Sequence, residues 1–195
     1  MKAVLISIQP KWCELIASGK KTVEVRKTRP KLETPFKCYI YCTNAKGQAF
    51  FTKGENGNYA PARWGNGKVI GEFVCDKIYD TYKMFICEYG EDMTLPLFKE
   101  KSCVSGKELD EYAKGLFLYG WHISDLVIYD KPRELGEFYQ VGKSTDFAYY
   151  DYCSGCPYHE TPVSEYPCNE CDGNRKYLYR PPRSWSYVER SENGN

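Results

Sequence analysis

GKKTVEVR, the sequence of residues 19–26, has the pattern of a junction between the end of a helix and the start of a strand. Before it, Pro10 stands where the first turn of a helix tolerates proline, and Gly19 stands where a helix commonly ends. Between them, three large apolar side chains follow one another at helical spacing: Trp12, Leu15 and Ile16. We therefore predict a short helix that begins near Pro10 and ends before Gly19.

From Thr22 to Lys27 the apolar residues alternate with polar ones, which is typical of a strand. This alternation places Val23 and Val25 on one face. It places Thr22, Glu24 and Arg26 on the other face, which is polar and charged. The stretch therefore predicts a strand that presents several chemically active side chains together.

The rest of the chain predicts a sheet-dominated α+β domain. A second helix is indicated by Ser105 and Glu108, which have the spacing of a capping box, and by Gly115 at its end. An Asn-Gly pair at Asn66 predicts a tight turn before a long strand. The further predicted strands are Ala3–Ile8, Cys38–Thr43, Ala49–Thr52, Val69–Tyr79, Leu118–Tyr129 and a closing strand within Tyr177–Glu189.

Charge is unevenly distributed along the 195 residues, although the formal net charge is only +1. Residues 1–70 contain 13 Lys/Arg and 4 Asp/Glu, a net charge of +9, whereas the remainder contain 14 and 22, a net charge of −8. A basic region of this size indicates a polyanionic partner. The alternative is ordinary solvated charge on the surface of a folded domain.

The expected location is the cytoplasm, with no membrane association. The apolar run Ala3–Ile8 is too short for a signal peptide, and no later stretch approaches the length of a transmembrane helix. In a reducing compartment the ten cysteines are better interpreted as thiols and metal ligands than as disulfides.

Four cysteines form two C-x-x-C pairs: Cys153 with Cys156, and Cys168 with Cys171. Eleven residues separate the pairs, so the four thiolates can surround one tetrahedral zinc ion at about 2.3 Å. A site closed by four protein ligands has no open position for water, so we predict a structural zinc. The alternatives are two disulfides, a redox pair or an iron–sulfur cluster, with His159 as a substitute ligand.

The remaining cysteines occur singly and are interpreted as small buried residues: Cys13, Cys38, Cys42, Cys75, Cys87 and Cys103. His122 lies within a predicted strand, between Trp121 and Ile123, and is interpreted as a structural residue with a hydrogen-bond partner rather than as a base.

Four motifs together resemble the ASCH family. They are GKKTVEVR at 19–26, GEFVCD at 71–76, YGWHI at 119–123 and RPPRSW at 180–185. The resemblance implies a PUA-like mixed β-barrel with short flanking helices, formed by residues 1–150 and 176–190. Residues 151–175 would be a zinc-binding excursion with four cysteine ligands before the last strand, and residues 191–195 a disordered tail. The chain looks especially like bacterial and phage ASCH proteins with a cysteine-rich insertion.

The resemblance also implies a cleft beside the first helix that binds RNA or another nucleic acid, a nucleotide or a modified base. Lys21, Thr22, Glu24 and Arg26 would project into it. An arginine can donate two hydrogen bonds to a phosphate, and a glutamate can accept from a base amine. The alternative is an ion-pair network that only orders the strand.

A second aromatic and basic position is predicted in the Gly/Asn-rich stretch around Arg63 and Trp64. Trp64 could stack on a base, with Arg63 beside it. The alternative interpretation is that this tryptophan only plugs a hairpin loop.

One ASCH branch hydrolyses acylated cytidine with a lysine, a threonine three positions later and a glutamate on another strand. Here Lys21 is present, but the threonine position is occupied by Glu24; Glu72 or Asp76 would be the distant acid. A hydrolase acting on RNA or a modified nucleoside, as a ribonuclease or an amidohydrolase, is therefore the first alternative to binding. Its catalytic candidates are Lys21, Glu24 and Arg26. The second alternative is a phage-type modulator that contacts a host protein.

Overall fold

The strands and helices are those of a computed structural model that describes residues 3–52, 63–88, 92–140, 176–178 and 180–190. The strands are β1 (Ala3–Ile8), β2 (Val23–Arg26), β3 (Phe36–Cys42), β4 (Phe51–Thr52), β5 (Arg63–Trp64), β6 (Lys68–Cys75), β7 (Ile78–Asp80), β8 (Tyr119–His122), β9 (Ser124–Arg133), β10 (Phe138–Gln140), β11 (Lys176–Tyr177) and β12 (Trp185–Arg190). The α-helices are α1 (Pro10–Ala17), α2 (Thr81–Phe85), α3 (Leu95–Ser102) and α4 (Gly106–Ala113); a 3-10 helix spans Leu135–Glu137.

A seven-stranded mixed sheet forms the body of the domain, in the order β11-β10-β12-β1-β3-β6-β9. β1 pairs in parallel with β3 and antiparallel with β12, which places Ala3 opposite Val188. All six residues of β1 are buried, as expected of a central strand covered on both faces. The predicted closing strand is therefore confirmed, and it completes the sheet beside the first strand of the chain.

Two bends connect this sheet to a smaller sheet with the order β2-β8-β7. β6 continues into β7 after a bend at Asp76 and Lys77, and β8 continues into β9 after a bend at Ile123. The amide of His122 donates to the Lys77 carbonyl, and the Ser124 hydroxyl donates to the Val74 carbonyl. The predictions of single unbroken strands over Val69–Tyr79 and Leu118–Tyr129 were therefore wrong at these bends. Alternation of apolar residues does not reveal that a strand leaves one sheet for another.

Trp121 lies in the core between the two sheets and is fully buried. Its ring is 5.8 Å from that of Phe36 and 5.9 Å from that of Trp185, measured between ring centroids. From α1, Cys13 and Ile16 pack into the same apolar cluster. These contacts hold α1 on the sheet.

Two helices confirm the sequence prediction and two do not appear in it. α1 begins at Pro10, and α4 begins after Ser105, whose side chain forms the predicted capping box with Glu108. By contrast, α2 spans only five residues, and α3, although as long as α1 and α4, separates its apolar and polar residues less clearly than they do. Because a weak apolar pattern over five to eight residues is hard to distinguish from a loop, their sequences carried little signal.

The α+β class is confirmed by these two sheets and their flanking helices. The finer prediction of a PUA-like barrel stays a prediction. The predicted four-cysteine excursion at residues 151–175 and the tail at 191–195 lie outside the described residues, so they stay predictions as well. Within the described ranges, no helix combines the length and the apolar character needed to cross a bilayer.

Candidate ligand-binding cavity

A cavity of about 610 Å³ lies between α1, β2, α4 and the segment at 181–184 that precedes β12. Its volume falls in the range of pockets that hold small ligands. Its lining includes these polar and aromatic residues: Ser7, Trp12, Lys21, Glu24, Arg26, Glu108, Tyr112 and Arg183. The cavity is therefore built from both ends of the chain.

Three charged side chains form a buried cluster in the wall of this cavity. Lys21, Glu24 and Arg26 are only 2%, 5% and 7% exposed. The two Glu24 carboxylate oxygens are shared between the cations: Oε2 lies 3.3 Å from Lys21 Nζ and Oε1 lies 2.9 Å from Arg26 Nη2. We call these three residues the charged cluster.

One backbone carbonyl accepts a hydrogen bond from each of the two cations. Lys21 Nζ donates to the Ser102 carbonyl at 2.6 Å, and Arg26 Nη2 donates to the Ser7 carbonyl at 2.6 Å. Arg26 Nε is buried and has no hydrogen-bond partner among the described residues. Because a buried charge is costly unless it is paired, these contacts explain how the cluster is tolerated. The unpaired Arg26 Nε leaves one buried donor for a ligand with a hydrogen-bond acceptor.

The local structure of β2 explains why these residues meet. Strand alternation directs Val23 and Val25 into an apolar cluster with Phe98 of α3, so Glu24 and Arg26 face the other way, into the cavity. β2 is buried along its whole length, and Phe98 of α3 and Leu109 of α4 belong to the apolar cluster on its other face. Lys21, Glu24 and Arg26 thus form the ion-pair network that was one interpretation, and they also line a cavity, as the other interpretation expected.

Two aromatic rings line the cavity, and each has at least one lysine beside it. Lys11 Nζ and Lys21 Nζ lie 4.1 Å and 5.0 Å from the centroid of the Trp12 ring. Lys27 Nζ lies 5.0 Å from the centroid of the Tyr112 ring. Sequence reasoning missed both rings as site residues, because helical spacing assigned them to helix faces that pack on the core.

Ser7 and Arg183 were also missed, and they come from opposite ends of the chain. The Ser7 amide donates to the Ser184 carbonyl at 2.9 Å, and its hydroxyl donates to the Pro182 carbonyl at 2.7 Å. These bonds fix the segment that presents Arg183 to the cavity. The signal available in the sequence was the RPPRSW motif at 180–185.

The other predicted site residues lie elsewhere. Thr22 is half-buried and does not line the cavity; its amide donates to the Lys101 carbonyl. Trp64 is half-exposed on the β4–β5 hairpin, where its ring centroid is 5.3 Å from that of Phe51. Arg63 precedes it in the same hairpin. The structure therefore brings Lys21, Glu24 and Arg26 together and leaves Thr22 and Trp64 outside the cavity.

The four predicted zinc ligands, Cys153, Cys156, Cys168 and Cys171, lie outside the described residues. In the part of the chain that is described, no group of three His, Cys, Asp or Glu side chains could hold a metal ion. Structural zinc therefore stays a prediction from the two C-x-x-C pairs.

The single cysteines separate into two groups. Cys13, Cys38, Cys42 and Cys75 are buried, whereas Cys87 is exposed and Cys103 is half-buried. Burial raises the pKa of the Cys75 thiol to about 12 and raises the pKa of the Cys13 and Cys38 thiols well above the ordinary value. These three thiols are therefore protonated packing residues and not nucleophiles.

His122 has a hydrogen-bond partner, as expected of a structural residue. Its Nδ1 lies 2.6 Å from Asp76 Oδ1, at the bend that links the two sheets. Burial on its own would raise the pKa of Asp76, but the interaction with His122 outweighs it and lowers that pKa. Neither residue lines the cavity.

Comparison with known proteins identifies the family. The model of the ASCH domain matches residues 6–123, more than half of the chain. This chain belongs to the ASCH domain family. The matched region contains the charged cluster and ends at Ile123, so Arg183 comes from a part of this ASCH protein beyond the match.

Two solved structures of ASCH proteins are similar to this chain at low sequence identity. A mutant ASCH protein from Zymomonas mobilis is 15% identical, with 96% of this chain and 88% of that chain covered and a TM-score of 0.54. The ASCH protein from the same organism is also 15% identical, over 96% and 87% of the two chains, with a TM-score of 0.48. A search of curated proteins returns no match. The similarity to the first structure supports the fold alone.

Proposed function

We propose that this ASCH protein binds single-stranded RNA by taking one nucleotide into the cavity beside α1. ASCH domains are generally thought to bind RNA. The observation that carries the proposal is the charged cluster of Lys21, Glu24 and Arg26, which is buried in the wall of a ligand-sized cavity. A ligand for this cavity should therefore be both polar and flat.

The size of the cavity favours one nucleotide over a duplex. A volume of about 610 Å³ is of the order of a small-ligand pocket and leaves no room for paired strands. Sequence-dependent recognition of RNA generally uses unpaired bases, which can leave the stack and enter a pocket. An unpaired base of an RNA strand, or a free nucleotide, is therefore the ligand that fits.

The chemistry of the walls suits a base. The Trp12 ring is half-buried beside the cavity, and base–aromatic stacking is worth about 1–3 kcal/mol per base. The Glu24 oxygens can accept further hydrogen bonds from a base amine, and Arg26 Nε is an unused donor. The lining of the cavity thus offers a ring on which a base can stack and polar atoms that can form hydrogen bonds with the edge of that base.

Long-range electrostatics supports an RNA partner as well. Residues 1–70, which contribute α1 and the charged cluster, have a net charge of +9. Lys11 and Lys27 lie beside the two aromatic rings of the cavity. An RNA strand approaching this side meets positive charge before it reaches the cavity, so its association is expected to weaken steeply with salt.

The test is fluorescence anisotropy with a labelled single-stranded RNA of mixed sequence, over a range of potassium chloride concentrations. We expect salt-sensitive binding by the wild type. We expect at least tenfold weaker binding by Trp12→Ala, on the order of one lost stacking contact. Absence of salt-sensitive binding to RNA would refute the proposal.

Trp64→Ala distinguishes the cavity from the second predicted position. Both tryptophans are partly exposed, but Trp64 lies on the β4–β5 hairpin and Trp12 lines the cavity. If RNA reaches only the cavity, Trp64→Ala binds as the wild type does. Equal losses of RNA affinity in the two variants would mean that the RNA also contacts the β4–β5 hairpin, as predicted from the sequence for Arg63 and Trp64.

The hydrolase alternative stays a prediction. Glu24 would be its general base, but each of its oxygens is already paired with a cation, Lys21 or Arg26. A release assay with RNA and acylated nucleosides tests it. Loss of turnover on replacing Lys21, Glu24 and Arg26 together, in a variant that remains folded, would support hydrolysis. A contact with a host protein likewise stays a prediction.

A further inference from the structure

We infer that the nucleotide enters the cavity base-first and that Arg183 binds its phosphate at the exposed edge. The inference rests on the proposed function and adds the orientation of the ligand. It follows from a contrast between two kinds of cation in one cavity: Lys21 and Arg26 are buried and paired, whereas Arg183 is exposed and, within the described ranges, unpaired.

The charged cluster is poorly suited to a phosphate. Lys21 Nζ is bound by the Ser102 carbonyl and by Glu24, and Arg26 Nη2 is bound by the Ser7 carbonyl and by Glu24. A phosphate placed against this cluster would lie beside the Glu24 carboxylate and would compete with it and with the two carbonyls for Lys21 Nζ and Arg26 Nη2, with Arg26 Nε left as an unpaired donor. Like charges in a desolvated site repel strongly, so a neutral polar group such as a base edge is favoured there.

Arg183 has the properties that the charged cluster lacks. Its side chain is exposed, and among the residues that the structure describes it has no hydrogen-bond or ion-pair partner. Its guanidinium group can therefore offer its full set of donors, with the fork geometry that matches a phosphate. Among the described cationic side chains that line the cavity, it is the one without a hydrogen-bond or ion-pair partner.

Ser7 links the charged cluster to the segment that carries Arg183. Its carbonyl accepts from Arg26 Nη2. Its amide and its hydroxyl donate to Ser184 and Pro182, which flank Arg183. Because Ser7 is only 8% exposed and belongs to β1, the segment that carries Arg183 is anchored to the central strand and is not a free loop.

Isothermal titration calorimetry with the four ribonucleosides and their four 5′-monophosphates tests this orientation. We expect the wild type to bind at least one monophosphate about tenfold more tightly than its nucleoside, which corresponds to one charge-assisted contact. In Arg183→Ala this difference should disappear, with the affinity for the nucleoside unchanged. Arg180→Ala is the matched control, because Arg180 is an exposed arginine three residues away that does not line the cavity.

Other results would overturn the inference in distinguishable ways. If a monophosphate binds more tightly than its nucleoside and Arg183→Ala leaves the difference intact, the phosphate is bound elsewhere and only the orientation fails. The same holds if Arg180→Ala and Arg183→Ala have equal effects, or if Arg183→Ala weakens nucleoside and nucleotide binding alike. If the wild type binds neither nucleosides nor monophosphates, the cavity is not a nucleotide site, and the proposed function falls together with the orientation.

Discussion

Glu24 is the residue on which the charged cluster depends. It is the only anion of the three, and each of its carboxylate oxygens faces a buried cation, Lys21 or Arg26. A buried ion pair adds little net stability over apolar packing, but removal of one partner leaves an uncompensated charge. The cluster is therefore better understood as a device that positions cations at a cavity than as a source of stability.

Replacement of this carboxylate should expose that dependence. We expect Glu24→Gln to lower the free energy of unfolding by about 3–5 kcal/mol, because Lys21 and Arg26 would stay buried without a counter-charge. Urea denaturation followed by circular dichroism measures the loss. The control is Glu88→Gln, which breaks an exposed pair with Lys83 and should change stability by less than about 1 kcal/mol. Similar losses in the two variants would contradict the role given to Glu24.

Glu72 gives the protein a predictable response to acid. Burial would raise its pKa, but hydrogen bonds from Lys37 and Tyr129 outweigh burial and lower it. A carboxyl whose pKa is lowered by folding stabilises the folded state above its unfolded pKa. That contribution is lost as the pH falls through the folded pKa.

We therefore expect the wild type to lose stability, as the pH falls through the titration range of carboxyl groups, more steeply than Glu72→Gln does. The measurement is the urea midpoint at several pH values. Glu33→Gln is the control, because Glu33 is exposed and has no ion-pair or hydrogen-bond partner within the described ranges. Its midpoint should follow the wild type at every pH. A Glu72→Gln profile parallel to that of the wild type would mean that this carboxyl does not contribute.

At the scale of elements, the pairing of β6 with β9 requires a very close approach of the two backbones. A Cβ atom added at Gly71 would lie 2.3 Å from the Val127 carbonyl oxygen and 3.1 Å from the Ile128 Cα. Both contacts involve backbone, which cannot yield without moving a strand. Gly71 belongs to the GEFVCD motif, so the family-like sequence there reflects strand packing.

Gly71→Ala should accordingly destabilise the protein by about 1–3 kcal/mol, since the added methyl group overpacks the strand pair. Gly136→Ala is a matched control, because a Cβ atom at Gly136 meets no atom within 4 Å. Thermal or urea unfolding of the two variants should show a loss for Gly71→Ala and none for Gly136→Ala. Equal stability of Gly71→Ala and the wild type would show that β6 and β9 can separate without cost.

At the scale of the whole molecule, the predicted zinc site can be tested without reference to the cavity. Protein purified under reducing conditions should contain about one zinc ion per chain, measured by elemental analysis. Cys153→Ser should reduce that content, because it removes a predicted ligand. Cys87→Ser should not, since Cys87 is an exposed cysteine outside the predicted set. Metal-free wild-type protein would refute the site.

Local pattern was sufficient for several elements. Pro10 and the apolar spacing after it predict α1, and the Ser105–Glu108 pair predicts α4, because caps and helical periodicity depend on neighbours in sequence. The bends at Asp76–Lys77 and Ile123 could not be predicted in this way. A strand keeps its alternation when it passes from one sheet to another, so the bend is decided by pairing partners far along the chain.

The sequence by itself determined that Glu24 and Arg26 share one face of a strand, with Lys21 just before them, because strand alternation is a local property. The tertiary structure alone decided that this face is buried and that Trp12 and Arg183 line the same cavity. Ser7 and Pro182 are 175 positions apart, yet they are hydrogen-bonded because β12 pairs with β1. Pairing between the two ends of the chain depends on the order of strands in the sheet, which no local pattern specifies.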